Sequence, residues 1–487
     1  MNDFKNRLGI GFSIIGIAVL LFVSYFGLTH LNTWHDEIFS MWIVSLPLDQ
    51  FWTAIIEDVH PPLYYVIYKV FASSFNLFGI HNLTFIGKIV SLIPIYLLII
   101  ISFLKLRRNF GMLITGIFIF FLTTMPLFIQ YSLEVRMYSW TIFFVTTSFI
   151  YLYEISKNPS NKNWIVLTFL TICSSYTQYF SLLSSLVLYL IFLAYILRKN
   201  NDLLKKWFVS AIICVIAYIP WIPFAYSQFR TGQGGYWIPP ITLNTVIGYV
   251  YSVFSPIGES KIIGTLFLIA IILLVIIAYR YKENFDKYAF SGILAFVLVP
   301  LIGIIISYAF FPIFHKRYLL PLLGTFWLGI AILISGLYDR NKKIFAVFIV
   351  LILVMGGLSV NFSLNNEQND FDSTLSKNET LHKLIGHDNI IIFDNQELYL
   401  DMGTYFLKNN DHYIFRDNIG QNINSLLKDP SVQSKIANGS KVYYMDSISK
   451  GDTSNYQELV DSKINAVEIY SSNRGEHIRD FKVYEIT

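Results

Sequence analysis

Cysteine and charged residues are both scarce in this 487-residue sequence. The two cysteines, Cys173 and Cys214, both lie in apolar stretches, which excludes a disulfide framework and a cysteine metal site. Charged residues make up 14% of the chain, hydrophobic residues 54% and aromatic residues 17%. Soluble globular proteins carry about 25% charged residues. The composition therefore predicts an integral membrane protein.

Other expected signatures are also missing. The C-terminal part has neither a phosphate-binding glycine loop nor a nucleophile elbow. No internal repeat is evident, and the ionisable residues cluster towards one membrane face. A secondary transporter would instead place such residues near the middle of the bilayer, often within repeats. No nucleic-acid partner is predicted.

Eleven apolar runs are long enough to be interpreted as membrane spans. They cover residues 8–28, 86–104, 112–130, 139–155, 164–179, 181–197, 207–225, 262–279, 288–309, 318–337 and 344–361. Lys5 and Arg7 precede the first run, which predicts a cytoplasmic N-terminus. The run is long and no small-residue cleavage pattern follows it, which favours an uncleaved anchor over a signal peptide. In this layout, 17 of the 24 basic residues before position 362 lie on the inner side. The pattern predicts a multi-pass plasma-membrane protein whose C-terminal part is extracytoplasmic.

Residues 61–79 are apolar enough to span, but a span there would place the basic cluster Lys105–Arg108 outside. We therefore expect them to lie at the outer interface, within a first outer loop over residues 29–85. Residues 362–487 are polar, with 19 acidic and 12 basic residues. Short apolar segments predict strands at Asn389–Phe393, Lys441–Met445 and Ala466–Tyr470, beside a helix at Glu397–Leu407. The predicted fold class is a mostly α, polytopic helical bundle over residues 1–361, followed by a small α/β domain.

Two adjacent carboxylates, Asp36 and Glu37, follow the first span, directly after His35. Acids at the hydrocarbon boundary are costly unless they are used or paired. A structural interpretation stays open, in which Asp36 is the cap of a short helix.

Further along the same loop, Glu57, Asp58 and His60 precede two prolines and Tyr64. Two prolines fix the backbone, so this segment predicts a rigid corner that presents His60. The alternative is a histidine with only a structural role.

Two later segments on the outer side also carry charge. Glu134, Arg136 and Tyr138 lie between two predicted spans, where the first two could simply pair with neighbouring charges. Lys316 and Arg317 lie on the outer side, where cations are normally scarce. A bound anion would explain this pair.

Carboxylates that can accept a proton and cations that can hold a phosphate suit one reaction. Transfer from a polyprenyl-phosphate sugar requires a base for the acceptor hydroxyl and positive charge for the leaving phosphate. A nucleotide-sugar donor fits badly, because the layout leaves no sizeable cytosolic domain. The alternatives are a lipid-linked polysaccharide polymerase or ligase and a lipid-sugar transporter.

The chain resembles the GT-C class of glycosyltransferases, specifically the family 39 group with protein O-mannosyltransferases and aminoarabinose transferases. The matching motifs, in order, are Asp36-Glu37, His60–Tyr65, Glu134–Tyr138 and Arg317–Pro321. The resemblance implies a multi-span fold with interfacial helices in the first outer loop. It also implies inverting transfer, with Asp36 as the catalytic base and Glu37 as a supporting carboxylate.

The resemblance further implies a donor-phosphate site formed by Lys88, Arg136, Lys316 and Arg317. Relatives usually carry arginine at the position of Lys88, and lysine lacks its bidentate geometry. The other candidate active-site residues are His35, Glu57, Asp58, His60, Tyr64, Glu134, Tyr138 and Tyr318.

Some relatives bind a divalent metal through carboxylate and histidine ligands. His60 with Glu57 or Asp58 could supply part of such a site, and no other cofactor is predicted. The expected partners are the polyprenyl-phosphate sugar, membrane lipid, and an envelope glycan, lipid or protein as acceptor.

Overall fold

The computed structural model describes residues 2–233, 238–258, 260–280, 284–448, 455–472 and 480–487. The chain forms two compact units. The first comprises Met1–His30 and Leu46–Glu367, and the second comprises Leu31–Ser45 and Gln368–Thr487. The segment that contains Asp36 and Glu37 is thus grouped with the C-terminal residues.

Eight helices among the described residues are long and apolar enough to cross a membrane. They are Asp3–Thr29, Leu83–Phe110, Tyr179–Lys199, Asn201–Thr231, Lys261–Arg280, Lys287–Ala309, Lys316–Arg340 and Lys342–Ile385. Some contain short 3-10 or π turns, at Ser102–Leu106, Asn201–Leu203, Ile219–Trp221 and Lys316–Leu319. The multi-pass membrane architecture predicted from composition is confirmed.

Shorter or more polar helices complete the first unit. They are Leu48–Glu57, Leu63–Asn76, Met112–Thr124, Phe128–Leu133, Tyr138–Lys157, Asn161–Ser175 and Leu243–Phe254. Three of the eleven predicted spans are among them. The run predicted as 112–130 is interrupted because Pro126 cannot continue the helix that ends at Thr124. Tyr138–Lys157 is rich in serine and threonine and almost wholly buried, so it faces protein rather than lipid.

Close helix contacts in the first unit depend on small residues. A Cβ added to Gly9 would lie 2.2 Å from the Met112 carbonyl oxygen, and one added to Gly116 would lie 2.0 Å from the Gly9 carbonyl oxygen. Backbone-to-backbone approach of this kind is typical of helices packed in a membrane. The helix Lys316–Arg340 is the most enclosed of the eight, since 94% of its most apolar 18-residue stretch is buried.

The predicted interfacial segment forms the helix Leu63–Asn76, which has 14 residues. At 1.5 Å per residue it is about 21 Å long, shorter than the roughly 30 Å hydrocarbon core of a bilayer. Leu48–Glu57 precedes it and buries only Phe51 and Ile55. The first outer loop thus consists of short helices rather than a span.

The second unit contains a five-stranded sheet. Its strands are β1 (Ile390–Phe393), β2 (Asp411–Ile414), β3 (Val442–Ser447), β4 (Ala466–Ser471) and β5 (Phe481–Ile486). The spatial order is β2-β1-β3-β5-β4, with β1 parallel to β2 and β3, and β5 antiparallel to β3 and β4.

Helices accompany the sheet in this unit. They are His35–Ser45, Gln396–Leu398, a π-helix at Tyr399–Phe406, Ile419–Leu426, Pro430–Ala437 and Tyr456–Asp461, and Lys342–Ile385 extends into the unit. The helices Ile419–Leu426, Pro430–Ala437 and Tyr456–Asp461 pack an apolar core against the sheet, which includes Ile390, Ile392, Tyr444 and Leu459. The predicted strands correspond to β1, β3 and β4. The sequence interpretation missed β2 and β5, whose polar residues interrupt the apolar runs.

Candidate active site

The helix His35–Ser45 begins at the predicted carboxylate pair. Glu37 donates its backbone N–H to the Trp34 carbonyl oxygen at 2.9 Å, and its Oε2 accepts the Trp34 N–H at 3.1 Å. A glutamate that reaches back in this way caps the helix start, and here it is buried with 3% exposure. Asp36 is half-buried, and the Ser40 hydroxyl donates to its backbone carbonyl at 2.9 Å. Glu37 therefore fixes the turn that carries Asp36.

His35 is held by a residue far along the chain. Its Nδ1 lies 2.7 Å from Oδ1 of Asp401, which is completely buried within the π-helix Tyr399–Phe406. A carboxylate is an acceptor only, so the imidazole Nδ1–H is the donor. The candidate His35 is thereby oriented by an aspartate that the sequence interpretation did not select.

The rigid corner in the first unit is built around Asp58. Its Oδ2 accepts a hydrogen bond from the Tyr65 hydroxyl at 2.9 Å and lies 3.1 Å from His60 Nδ1. Both prolines are buried, and the Leu63 N–H donates to the Tyr176 carbonyl oxygen at 2.9 Å. The corner is therefore anchored to the bundle immediately after the two prolines.

The opposite ring nitrogen of His60 faces Arg136. His60 Nε2 and Arg136 Nη2 are 3.4 Å apart, so the ring can donate to Asp58 and accept from the guanidinium. Burial alone would raise the pKa of Asp58, but the charges of His60 and Arg136 and the hydrogen bond from His60 lower it below its usual value. Burial, together with the charge of Asp58, raises the pKa of Tyr65, which stays protonated as a donor.

The segment from Leu133 to Tyr138 gathers cations from separate helices. Lys88, on the helix Leu83–Ile101, is 1% exposed, and its Nζ lies 3.4 Å from the Leu133 carbonyl oxygen. Arg317 Nη1 lies 3.3 Å from the Tyr138 hydroxyl. Arg136, within the segment itself, is 3% exposed. Three of the four predicted phosphate-binding cations therefore lie in, or contact, one short stretch of chain.

Gly87 allows the helix that carries Lys88 to pack closely against this segment. A Cβ added to Gly87 would lie 2.3 Å from Val135 Cγ1 and 2.8 Å from the Tyr68 hydroxyl oxygen. The absence of a side chain lets the helix that carries Lys88 come close to the segment that carries Arg136. Tyr68 donates to the Leu83 carbonyl oxygen at 2.5 Å and ties the interfacial helix to the same helix start.

Four other candidates are buried or half-buried. Glu134 is buried at 9% exposure, next to Arg136 in sequence. Tyr318 stacks on Phe180, with ring centroids 4.5 Å apart, and Lys316 is half-buried. Tyr64 is completely buried.

No group of three or more histidine, cysteine or acidic residues in the described part of the chain is arranged to hold a metal ion. Glu57 is exposed, whereas Asp58 and His60 contact each other. The predicted partial metal site thus has no third ligand among the described residues.

Two residues of these networks were not selected from the sequence. Tyr65 belongs to a matched motif, and its signal was its place in the first turn after the diproline, from which a side chain can reach back to Asp58. Asp401 had no local signal, because its partner lies 366 residues away in sequence.

No protein-family profile and no curated protein sequence matches the chain. Solved structures do match. A crystal structure of ArnT from Cupriavidus metallidurans bound to undecaprenyl phosphate aligns with a TM-score of 0.55 over 97% of this chain and 98% of that chain, at 12% identity. The chain has the ArnT fold. The GT-C type of membrane fold predicted from the four motifs is therefore confirmed.

The apo crystal structure of the Archaeoglobus fulgidus oligosaccharyltransferase aligns less well than ArnT. It has a TM-score of 0.49 over 93% of this chain and 73% of that chain, at 12% identity. In the ArnT fold of the present chain, the Asp36 motif begins a helix of the second unit. The other three motifs lie in the first unit. His60–Tyr65 forms part of the Asp58 corner, Glu134–Tyr138 belongs to the Leu133–Tyr138 segment, and Arg317–Pro321 contacts that segment through Arg317.

Proposed function

We propose that the protein transfers a sugar from a polyprenyl-phosphate donor to an acceptor hydroxyl on the outer face of the membrane. The observation that carries the proposal is the convergence of Lys88, Arg136 and Arg317 on the Leu133–Tyr138 segment. Asp58 lies in the same region through His60 and Arg136, and Glu134 belongs to the segment itself. Buried charge in a membrane protein marks a functional site by default.

A phosphate group fits this cluster of cations. Arginine binds phosphate oxygens bidentately, and lysine acts as a point charge. Both kinds of contact strengthen as negative charge develops on the departing polyprenyl phosphate, which is how such a site would accelerate transfer. The ArnT structure contains undecaprenyl phosphate, and the ArnT fold of this chain supports a lipid phosphate of the same class.

The base is assigned to Asp36. A helix N-terminus favours a negatively charged side chain, and the carboxylate is the form that accepts a proton. Deprotonation of the acceptor hydroxyl by Asp36 and attack on the sugar carbon opposite the phosphate would invert the configuration at that carbon. Because the leaving phosphate is already stabilised, no general acid is needed.

The proposed orientation follows from the basic residues of the loops. The N-terminus is cytoplasmic, and the C-terminal sheet is extracytoplasmic. The acceptor is an envelope glycan, lipid or protein that offers a hydroxyl group on that side.

The proposal is tested by mass spectrometry of released polyprenyl phosphate. Purified wild type, Asp36→Asn and the control Asp49→Asn are each mixed with a panel of polyprenyl-phosphate sugars and envelope extract. Asp49 is exposed in the same outer loop. We expect release by wild type and Asp49→Asn but not by Asp36→Asn.

Release by Asp36→Asn at the wild-type rate would remove Asp36 as the base. If wild type releases lipid phosphate from none of the donors, the transferase proposal is wrong, and a polymerase or transporter becomes the better interpretation.

A further inference from the structure

Asp401 has the environment of a residue that holds another residue in place. Its side chain is completely enclosed, whereas that of His35 is 30% exposed. Oδ1 is bonded to His35, and Oδ2 has no hydrogen-bond partner among the residues that the structure describes. A buried carboxylate loses much stabilisation when its partner is removed. The Asp401 carboxylate therefore strongly favours one position of the His35 ring.

The support for Asp401 reaches back into the sheet core. Strand β1 is buried along its whole length, and Asn395 follows it. The Asn395 side chain caps the next helix by accepting the backbone N–H groups of Glu397 and Leu398 at 2.8 and 3.3 Å. That helix continues as the π-helix that contains Asp401. Single π turns often occur at functional sites.

His35 is the first residue of its helix, and Asp36 is the second. A helix end frays unless side chains fix it, because its first N–H groups have no partners within the helix. Here side chains from within the turn and from the π-helix contact it. Glu37 accepts the Trp34 N–H within the turn, and Asp401 holds His35 from the π-helix.

We propose that Asp401 is a positioning residue, which sets the orientation of the turn that carries Asp36 by holding His35. This inference rests on the proposed function, because it assumes that Asp36 is the base. It gives the C-terminal residues a role in catalysis, since Asp36 and Asp401 belong to the same compact unit. Asp401 itself does not contact the reacting groups in this assignment.

The test is steady-state kinetics of full-length variants in detergent with the donor that wild type accepts. We expect Asp401→Asn and His35→Ala each to lower kcat about 10- to 100-fold, the scale of a small misplacement of a catalytic group. The KM for the donor should stay within about twofold, because other residues bind its phosphate. Asp411→Asn is the matched control, since it removes a partly exposed carboxylate of the same unit, and it should leave kcat unchanged.

Two further variants separate positioning from general damage. His35→Asn keeps an N–H donor near the position of Nδ1, so it should recover most of the kcat lost in His35→Ala. The double variant His35→Ala/Asp401→Asn should be no slower than the slower single variant, because both substitutions break one contact. If Asp401→Asn does not fold, the two His35 variants decide the question alone.

Wild-type kcat in His35→Ala would overturn the inference. So would equal losses in His35→Ala and His35→Asn, or additive losses in the double variant. These results would leave the proposed function standing, provided that wild type transfers sugar and Asp36→Asn does not. A wild-type protein without transfer would overturn both proposals.

Discussion

At the scale of single residues, the networks around His35 and His60 follow the same rule. Each histidine has Nδ1 against an aspartate, at 2.7 Å for Asp401 and 3.1 Å for Asp58. An acceptor at Nδ1 fixes both the ring orientation and the tautomer. In both networks a buried carboxylate orients a half-buried ring. Asp58 was a candidate from the sequence, whereas Asp401 was not.

Arg317 is expected to bind the donor phosphate directly. Arg317→Ala should weaken binding of polyprenyl phosphate about 10- to 100-fold, because hydrogen bonds to charged groups contribute about 1.5–3 kcal/mol each. Arg317→Lys should lose less, since it keeps the charge. Equilibrium binding to purified protein measures both variants, with Lys261→Ala, an exposed cation, as the control. Unchanged affinity in Arg317→Ala would show that Arg317 is not a phosphate ligand.

Asp394 predicts a pH dependence of stability in the second unit. Burial, together with the neighbouring charge of Asp446, raises the pKa of Asp394 to about 7, although the Ser447 N–H and Asn455 Nδ2 bond to it. Burial, together with the charges of Asp394 and Asp446, also raises the pKa of Tyr444.

In the unfolded chain the pKa of an aspartate is about 3.9. Between about pH 4 and pH 7 the folded state therefore binds more protons, so its stability falls as the pH rises. Asp394→Asn should make this decrease in stability smaller. Thermal unfolding of the full-length protein between about pH 4.5 and pH 8 measures it, because this range covers most of the interval between the two pKa values. Asp411→Asn should keep the wild-type slope. An unchanged slope in Asp394→Asn would contradict the assignment.

At the scale of elements, glycine and proline decide how the helices meet. Pro126 ends one helix early, and the turn that follows contains Leu127 at a φ of 72°, a left-handed conformation. The chain then reaches the segment that carries Arg136. Gly87 lets the helix with Lys88 approach that segment. The spacing of the cations thus depends on backbone features that carry no charge.

Gly87→Ala should disturb this approach. The new methyl group must displace Val135 or Tyr68, which typically costs about 1–3 kcal/mol in a packed interior. We expect a lower unfolding midpoint together with weaker polyprenyl-phosphate binding, measured on the purified protein. Gly357→Ala is the matched control, because nothing lies within 4 Å of a Cβ at that helical position. Equal behaviour of the two variants would show that the close approach at Gly87 is dispensable.

At the scale of the whole molecule, the orientation in the membrane can be tested with cysteines. The native Cys173 and Cys214 are first replaced by serine. Thr487→Cys should then react with a membrane-impermeant thiol reagent on intact cells, because the C-terminus is proposed to lie outside. Asn201→Cys, exposed in a basic loop, should react only after permeabilisation. The opposite pattern would invert the proposed topology and separate the donor site from the outer face.

The sequence alone determined that the protein lies in a lipid bilayer, its fold class and the identity of the charged motifs. Long apolar runs require lipid whatever their packing, and four motifs in order indicated the GT-C type of fold that the ArnT comparison confirms. β1 and β3 were also predictable, because short buried strands consist mainly of apolar residues. β4 was predicted from its apolar residues as well, although it is partly exposed.

Only the tertiary structure decided which charged groups meet. Strands β2 and β5 and the pairing of Asp401 with His35 have no continuous local pattern. Such contacts join residues that are distant in sequence, or depend on which way a helix start faces. Hydrophobic periodicity reports whether a residue is buried, but the partner of a buried polar group is chosen by the packing of the whole unit.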